Sequence, residues 1–556
     1  MIRSAMSWAG LAAALALLDF ALTFDNVWPT LWIVPRASLS IEIALLVLGL
    51  AAAGAIGRGP SRRVVTVLAA VLCAMAVGRY AEVTTAALYG RPIHLYFDAP
   101  HVPHVAAMLA KVAAPWQLGA GFAVAAVLVA AVFLGLRRAI GRVAAAASAP
   151  EERRVLFVSA AAVAALYALV RAGLPLPDPF SSPVTGTWAR QVRLFADAMA
   201  ADREGRLLPP PVDFGDGPLP AVRGADVVVA FVESYGAVGF DRPDIAAAVT
   251  DARRRLADAV AGTGRQAVSA FVESPTFAGA SWLAHASFLS GLRVDNGGAY
   301  ETLLARGGDT FAARLERSGY RTVAVMPGLR ESWPEGDAFG FDTIADAEAL
   351  DWRGPEFGWW RIPDQYVLGK LDDLGVGDGR GPASFVLLAT ISTHVPFRPT
   401  PPYQPDWSRL ETGRPYDEAP LGASLAARPE WLNLGPAYAD SLRYAYDVWA
   451  GFLAEHAGDD LVLILLGDHQ PAASVAGRGA RRDVPMHVIT SRPAILASLR
   501  DAGFTPGLEP RGSAIAEMHR IPELLLDAFA AEASVAAPRK PPPAPDLPPA
   551  YAPGGP

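Results

Sequence analysis

The pattern of hydrophobic and polar positions divides the chain into two unlike parts. The first third contains apolar runs of roughly 16 to 21 residues, the length needed for about five membrane-spanning helices. These runs cover approximately residues 6–24, 38–56, 64–83, 118–136 and 155–170. From Ala225 onward, short apolar segments alternate with longer segments of helical spacing, which is typical of a mostly parallel α/β sheet. The sequence therefore predicts a helical transmembrane bundle followed by an α/β domain.

Basic residues between the apolar runs predict the orientation of the bundle. Two of the loops hold most of them, namely Arg58, Arg62 and Arg63 in one and Arg137, Arg138, Arg142, Arg153 and Arg154 in the other. Because basic loops remain in the cytoplasm, five spans place everything after Leu174 outside. A secretory signal peptide is the alternative for the first run alone, but no Ala-x-Ala-like site follows it.

The same pattern gives the expected domain boundaries. We expect a transmembrane domain over residues 1–174, a linker with a connecting helix over 175–222, an exported domain over 223–536 and a Pro-rich disordered tail over 537–556. The connecting helix is predicted from Trp188 to Arg206. The predicted strands of the exported domain are Val227–Val232, Ala267–Val272, Thr322–Met326, Ser384–Ala389, Leu461–Leu466 and Met486–Thr490.

Charge and cysteine content exclude several classes of function. The formal net charge is -7, so no basic field favours nucleic acid. Cys73 is the single cysteine of the chain. Disulfides within the chain and cysteine-based metal sites are therefore excluded.

The segment with the clearest chemical signal begins with six apolar residues, Leu461–Leu466, that predict a strand buried on both faces. Gly467 ends the strand, and Asp468 and His469 follow at once. Open α/β sheets bind their ligands at the carboxyl ends of strands. The alternative is a loop with a turn-forming Asp and an incidental His.

Three further positions fit the same edge of the sheet. Glu233 follows the first strand, Ser281 opens an apolar helical run, and His394 follows another buried strand. Each has a plainer alternative: an acidic residue near a helix start, an ordinary Ser N-cap, and a loop His that caps a carbonyl. If they converge, two carboxylates, an imidazole and a hydroxyl suit a divalent cation such as Mn²⁺, Mg²⁺ or Zn²⁺.

The order of these motifs resembles a known family. The chain contains, in this order, Val232-Glu233-Ser234, a hydroxyl residue that opens a helix, Ser-Thr-His-x-Pro-Phe from Ser392, and Gly467-Asp468-His469. This order is similar to that of the lipoteichoic acid synthases and their relatives. These are membrane-anchored phosphoglycerol and phosphoethanolamine transferases of the sulfatase/alkaline phosphatase superfamily. The segment Arg314–Val323 also looks like that family's helix-to-strand segment.

The resemblance implies roles for named residues. Glu233, Ser281, Asp468 and His469 would bind one divalent ion, with Mn²⁺ favoured over Mg²⁺ or Zn²⁺, and Ser281 would be the transient covalent acceptor. The implied substrate contacts are His394, Trp360, Arg361 and His285. Two departures stand out: the synthases generally use Thr where this chain has Ser281, and no Pro or Arg follows in the register that formylglycine sulfatases require.

The implied activity is transfer of phosphoglycerol or phosphoethanolamine from a phospholipid donor to an envelope glycan or lipid. The implied location is a bacterial cell membrane, with the catalytic domain on the outer side. Two alternatives stay open at this point. One is a periplasmic phosphodiesterase or sulfate-ester hydrolase, and the other is a non-catalytic envelope binding protein.

Overall fold

The computed structural model describes residues 2–89, 93–100, 102–103, 106, 114–203, 207–329, 333, 335–358, 361–377 and 381–531. The tail predicted over 537–556 and the predicted substrate contact Trp360 lie outside these residues.

Apolar helices form the N-terminal part of the chain. They are α1 (Ile2–Thr23), α2 (Ile41–Ala55), α3 (Arg62–Tyr89), α4 (Pro115–Ser148) and α5 (Pro150–Arg171). Within the described residues, four of these are long and apolar enough to cross a membrane, while α2 has 15 residues. At 1.5 Å per residue, α2 extends about 22 Å, shorter than the hydrocarbon core of about 30 Å.

The loop predicted between the fourth and fifth runs is wrong. Helix α4 continues to Ser148, and only Ala149 separates it from α5. Arg137 and Arg142 therefore lie on the helix, where Arg142 pairs with Glu152 of α5 at 3.1 Å. Ala and Arg are strong helix formers, so the polar residues after Leu136 do not end the helix.

A connecting helix, α6 (Val184–Arg203), leads to the second domain. It begins four residues earlier than predicted and contacts the membrane helices through Thr187, which donates to Glu82 at 2.8 Å. Buried Gln191 of α6 also holds the segment 93–98: its Nε2 donates to the Ile93 carbonyl at 2.7 Å, and its Oε1 accepts from the Leu95 amide at 3.1 Å.

An eight-stranded, mostly parallel sheet forms the centre of the second domain, which confirms the predicted fold class. Its strands are β1 (Asp226–Val232), β2 (Gln266–Glu273), β3 (Arg321–Met326), β4 (Thr343–Asp346), β5 (Ser384–Ala389), β6 (Leu461–Gly467), β7 (Asp483–Thr490) and β8 (Thr505–Pro506). The spatial order is β8-β2-β7-β6-β1-β5-β3-β4. The strands from β6 to β4 in this order are parallel, while β7 is antiparallel to β6 and to β2.

Helices cover both faces of this sheet. They include α7 (Pro243–Gly262), α8 (Ser281–Ser290), α9 (Gly297–Arg306), α10 (Phe311–Glu316), α11 (Asp364–Gly369), α12 (Gly435–Glu455), α13 (Pro493–Asp501) and α14 (Ile521–Ala530). Along β1, Val227, Val229 and Phe231 join the core on one face, and Val228 and Ala230 join the core on the other. Burial on both faces explains the uninterrupted apolar strands.

Candidate active site

The pairing of β1 with β6 brings two carboxylates together. The two strands are parallel, and Val232 lies opposite Gly467. Glu233 and Asp468 therefore leave the same edge of the sheet side by side. The Ser234 amide donates to Asp468 Oδ1 at 2.8 Å, which connects the two strand ends.

Gly467 allows this close approach. A Cβ at this position would lie 1.9 Å from the Tyr235 carbonyl oxygen and 2.9 Å from Val484 Cβ. Any side chain would therefore push the turn after β1 away from β6. The glycine that marked the end of the strand in the sequence is also a packing requirement.

Ser281 reaches the same place from a tight loop. Ala280, not Ser281, is the N-cap of α8 and has φ 63°; Ala278 has φ 58° and Gly279 has φ 135°. Left-handed conformations strain residues that carry a side chain, and they concentrate at functional sites. Because Ser281 is the first helical residue, its hydroxyl does not cap its own helix.

The Ser281 hydroxyl instead faces the strand ends. Its Oγ donates to Glu233 Oε2 at 3.1 Å and lies 3.2 Å from His469 Nε2. His469 Nε2 is 3.6 Å from both Glu233 Oε1 and Asp468 Oδ2. The structure thus brings together the four residues that the sequence placed at separate strand and helix ends.

One backbone carbonyl orients both His469 and the loop Ala278–Ala280 that precedes Ser281. The Gln470 carbonyl accepts from His469 Nδ1 at 2.8 Å and from the Ala278 amide at 3.0 Å. A carbonyl can only accept, so Nδ1 carries the proton and Nε2 presents its lone pair to Ser281 and the carboxylates. This is the orientation that a metal-binding imidazole needs.

The two carboxylates perturb each other because both are buried. Burial and the neighbouring Glu233 carboxylate raise the pKa of Asp468 well above its ordinary value. Burial alone would raise the pKa of Glu233, but electrostatic interactions with the His394 and His469 side chains and hydrogen bonds with Ser234 and Asp468 lower it to about 2. Two carboxylates this close do not both ionise readily without a compensating positive charge.

These features fit a divalent cation. Ligand atoms of Glu233, Asp468 and His469 lie within 4.8 Å of one another, and all three residues are buried. In the described part of the chain, no lysine or arginine forms an ion pair with either carboxylate. Carboxylate oxygens with one imidazole nitrogen and a hydroxyl form a donor set that suits Mn²⁺, Mg²⁺ or Zn²⁺.

A cavity of about 320 Å³ opens beside Ser281. His285 and His394 both line it, together with apolar side chains from the sheet and α8: Phe231, Leu289, Met326, Leu329 and Phe339. Burial lowers the pKa of His285 to about 4, so its ring is neutral at pH 7. The buried His285 Nε2 has no hydrogen-bond partner among the described residues.

His394 lines this cavity with one ring nitrogen already hydrogen-bonded. Its Nδ1 donates to the Val395 carbonyl at 2.7 Å, so the ring can turn Nε2 towards a bound group.

Arg361 lies elsewhere. It is half-exposed, has φ 67°, forms an ion pair with Glu356 and is not among the residues that line the cavity beside Ser281. A substrate contact by Arg361 therefore has no support from its position here.

Sequence reasoning missed the residues that support Glu233. The Thr390 hydroxyl accepts from the Glu233 amide at 3.1 Å, and the Thr393 hydroxyl donates to the Glu233 carbonyl at 2.5 Å. Buried Asp364 accepts from the amides of Ile391 and Ser392, at 2.8 Å and 3.0 Å, and so holds the same loop. Thr390 and Thr393 could have been suspected from the sequence because they lie close to His394, whereas no local sequence pattern points to Asp364.

The fold and the cluster define an α/β domain with two carboxylates, an imidazole and a helix-opening hydroxyl at the carboxyl edge of its sheet. Residues 265–540 match the family model described as Sulfatase. These residues are therefore a sulfatase-family domain, as the resemblance in the sequence implied. Glu233 precedes the matched residues and joins the cluster through the pairing of β1 with β6.

Solved structures similar to this chain include the lipoteichoic acid synthase LtaP from Listeria monocytogenes (15% identity, 49% of this chain, 66% of that chain, TM-score 0.31). Another is the C-terminal periplasmic domain of EcEptC from Escherichia coli (14% identity, 51% of this chain, 76% of that chain, TM-score 0.31). A third is the Streptococcus pyogenes phosphoglycerol transferase GacH (11% identity, 60% of this chain, 80% of that chain, TM-score 0.36). The chain thus spans slightly less than two thirds of LtaP. No curated protein matches it.

Proposed function

We propose that this protein is a membrane-anchored, metal-dependent transferase that moves a phospho-headgroup from a phospholipid to an envelope glycan or lipid. The observation that carries the proposal is the Ser281 hydroxyl, 3.1 Å from Glu233 and 3.2 Å from His469, at the mouth of a cavity. A hydroxyl in a cation-binding cluster is an activated nucleophile. The helices that are long enough to cross a membrane would keep this nucleophile near lipid donors.

Glu233, Asp468, His469 and Ser281 would hold the cation. When bound, a divalent ion, with Mn²⁺ favoured, would lower the pKa of the Ser281 hydroxyl and neutralise charge on the phosphoryl group. Oxygens of the two carboxylates and a ring nitrogen of His469 lie within 4.8 Å of one another, which supports this assignment.

The chain's own residues account for the steps of the transfer. Ser281 Oγ gives up its proton to solvent, attacks the phosphorus of the donor and forms a Ser–O–P bond. The bond from phosphorus to the diacylglycerol oxygen breaks, and that oxygen takes up a proton, so diacylglycerol leaves. His394 Nε2 faces the phosphoryl group and steers this proton.

The second step regenerates the enzyme. An acceptor hydroxyl attacks the phosphorus of the serine ester, its proton leaves through the same groups, and Ser281 Oγ departs with a proton. Attack by water instead would give the hydrolase alternative. The neutral His285 ring lies in the same cavity and supplies Nε2 for a hydrogen bond to the bound group.

Mass spectrometry of the full-length protein after incubation with MnCl₂ and phospholipid vesicles tests this proposal. We expect a covalent mass increase at Ser281 equal to phosphoglycerol or phosphoethanolamine, depending on the lipid supplied. The Ser281→Ala variant, incubated in parallel, should show none. Turnover of headgroup-labelled lipid by Ser281→Ala at the wild-type rate would refute the nucleophile assignment.

A further inference from the structure

A hairpin among the N-terminal helices packs against the loop that precedes Ser281. The hairpin lies between α1 and α2, and its paired strands are Asp25–Asn26 and Ile33–Val34. Trp28, in the loop between these strands, packs against a buried apolar cluster of the second domain. The members of this cluster are Phe277, Ala473 and Ala476. The two parts of the chain therefore meet close to the proposed nucleophile.

The cluster joins two segments that carry the site. Phe277 belongs to the loop ahead of Ser281, and the short helix Ala473–Ala476 follows Gln470. Ala278 packs against the same cluster, and its amide donates to the Gln470 carbonyl at 3.0 Å. A side chain that packs on the cluster therefore supports the segments on both sides of this hydrogen bond.

The loop ahead of Ser281 needs such support. Ala278 and Ala280 both adopt left-handed conformations, with φ 58° and 63°. Residues with a side chain keep this conformation only where the surrounding structure fixes them. An alanine side chain cannot form a hydrogen bond, so the turn depends on its backbone contacts and on packing. Packing on the cluster is therefore able to decide where the Ser281 hydroxyl points.

The hairpin is fixed to α3 on both sides of Trp28. Arg79 of α3 donates to the Phe24 carbonyl at 3.1 Å, and the Tyr80 hydroxyl donates to the Leu31 carbonyl at 3.0 Å. One bond lies ahead of the tryptophan in the sequence and the other lies after it. A support held in this way presents its side chain in a defined position.

Trp28 also contacts a cation of the second domain. The Arg478 guanidinium carbon lies 5.1 Å from the centre of the Trp28 ring, within the range of a cation–π interaction. Two kinds of contact thus attach this indole to the second domain. Trp32, in the same hairpin, is 71% exposed. The two indoles therefore form a matched pair for experiment.

We propose that Trp28 is a positioning residue for Ser281. By packing against the cluster, Trp28 holds the Ala278–Ala280 turn in the conformation that aims the serine hydroxyl at the strand ends. Trp28 does not line the cavity beside Ser281, so its effect reaches the reaction through the loop. The site is thus complete only while the second domain is docked on the N-terminal helices. The kinetic test of this inference rests on the proposed transferase function, whereas the structural test does not.

Hydrogen–deuterium exchange of the full-length protein in phosphatidylcholine nanodiscs is the structural test. The Ala278 amide is hydrogen-bonded in the wild type and should exchange slowly. Trp28→Ala should raise the exchange rate of peptides covering residues 277–280 at least about fivefold. Trp28→Phe keeps an aromatic ring in the cluster and should stay within about twofold of wild type. The matched control is Trp32→Ala, which removes an exposed indole from the same hairpin and should exchange like wild type.

Turnover of headgroup-labelled phospholipid, measured with MnCl₂ over a range of lipid mole fractions, is the kinetic test. Trp28→Ala should lower kcat about tenfold or more and leave KM within about twofold, because a displaced nucleophile slows the chemical step without changing lipid binding. Trp28→Phe should recover at least about half of the wild-type kcat. Trp32→Ala should keep it.

Three results would overturn the positioning role. The first is wild-type kcat in Trp28→Ala, even if the loop exchanges faster, because the serine would then be aimed without this indole. The second is unchanged exchange of residues 277–280 in that variant. The third is a rise in KM alone, which would mean that Trp28 serves lipid access.

The unfolding temperature of each variant shows whether it folds. If Trp28→Ala does not fold, Arg478→Gln decides, because it changes only an exposed side chain beside the indole. This variant should raise the exchange rate of residues 277–280 about twofold, and an unchanged rate would then overturn the inference. If wild-type protein moves no label, the transferase proposal fails, and the exchange measurement alone decides whether Trp28 supports the loop.

Discussion

Replacing Asp468 by Asn should have opposite effects on stability with and without a divalent cation. Glu233 and Asp468 offer oxygens within 4.8 Å of each other in a buried cluster. Two charges at this distance repel by about 3.5 kcal/mol at an effective dielectric constant near 20. Proton uptake by Asp468, whose pKa is raised by burial and by Glu233, relieves part of this cost. We therefore expect about 1–2 kcal/mol of it to remain in the cation-free protein at pH 8.

Asn is a close fit for this position. Asp468 Oδ1 accepts from the amides of Ser234 and His469, at 2.8 Å and 2.6 Å, and the Asn oxygen can keep both bonds. The amide nitrogen then takes the place of Oδ2, 3.6 Å from His469 Nε2, and faces acceptors instead of repelling a carboxylate.

The assay is thermal unfolding of the full-length protein, first in EDTA and then with excess MnCl₂. In EDTA, the Asp468→Asn variant should unfold roughly 1.5–3 °C above wild type. A cation at 100 times its dissociation constant adds about 2.7 kcal/mol to wild type, and the variant should lose most of this gain. The order of the two proteins is then reversed.

A matched control is Asp364→Asn. Asp364 is also buried, and burial raises its pKa to about 6, but its oxygens accept from Ile391 and Ser392 rather than facing the cluster. This variant should keep the full Mn²⁺-dependent gain. The reasoning is refuted if wild type is the more stable protein in EDTA, or if Mn²⁺ stabilises Asp468→Asn as much as wild type.

Other residues give three further predictions. Ser281→Ala should lower headgroup turnover about 10³-fold or more in a labelled-lipid assay, and near-normal turnover would contradict a covalent route. Gly467→Ala should lower the free energy of unfolding by about 1–3 kcal/mol, because its Cβ would lie 1.9 Å from the Tyr235 carbonyl; Gly262→Ala, which meets nothing within 4 Å, is the control, and equal stability of the two variants would argue against the clash. His487 is buried between Tyr235 and Ser269, and burial lowers its pKa to about 3. Below about pH 6.5 the unfolded chain binds a proton at His487 and the folded protein does not, so the free energy of unfolding falls by up to about 1.36 kcal/mol for each unit of decreasing pH. The free energy of unfolding of wild type should therefore decrease more steeply below about pH 6.5 than that of His487→Asn. Parallel pH dependence of the two proteins would exclude this.

The central strands could be predicted because burial on both faces leaves uninterrupted apolar runs. All six strands predicted from such runs are present, whereas Thr343–Asp346 and Thr505–Pro506 were missed. These strands at the sheet edges have four and two residues, which is too few to show the alternation of apolar and polar residues that marks a strand.

The positions of Glu233, Ser281, Asp468 and His469 at strand and helix ends suggest that these residues meet. Only the fold establishes that they do. The sequence places Glu233 and Asp468 at strand ends, and only the order of strands makes β1 and β6 neighbours. The Ala278–Ala280 turn that aims Ser281 gives a weak signal, because small residues tolerate many conformations.

The Gln470 carbonyl has a consequence for how this enzyme can change. This one oxygen accepts hydrogen bonds from the His469 imidazole and from the Ala278 amide in the loop ahead of Ser281. Moving that peptide would tilt the ring and shift the loop in one motion. Substitutions nearby should therefore alter ion affinity and the reactivity of the alcohol together, so neither property can be tuned independently by changes at this point.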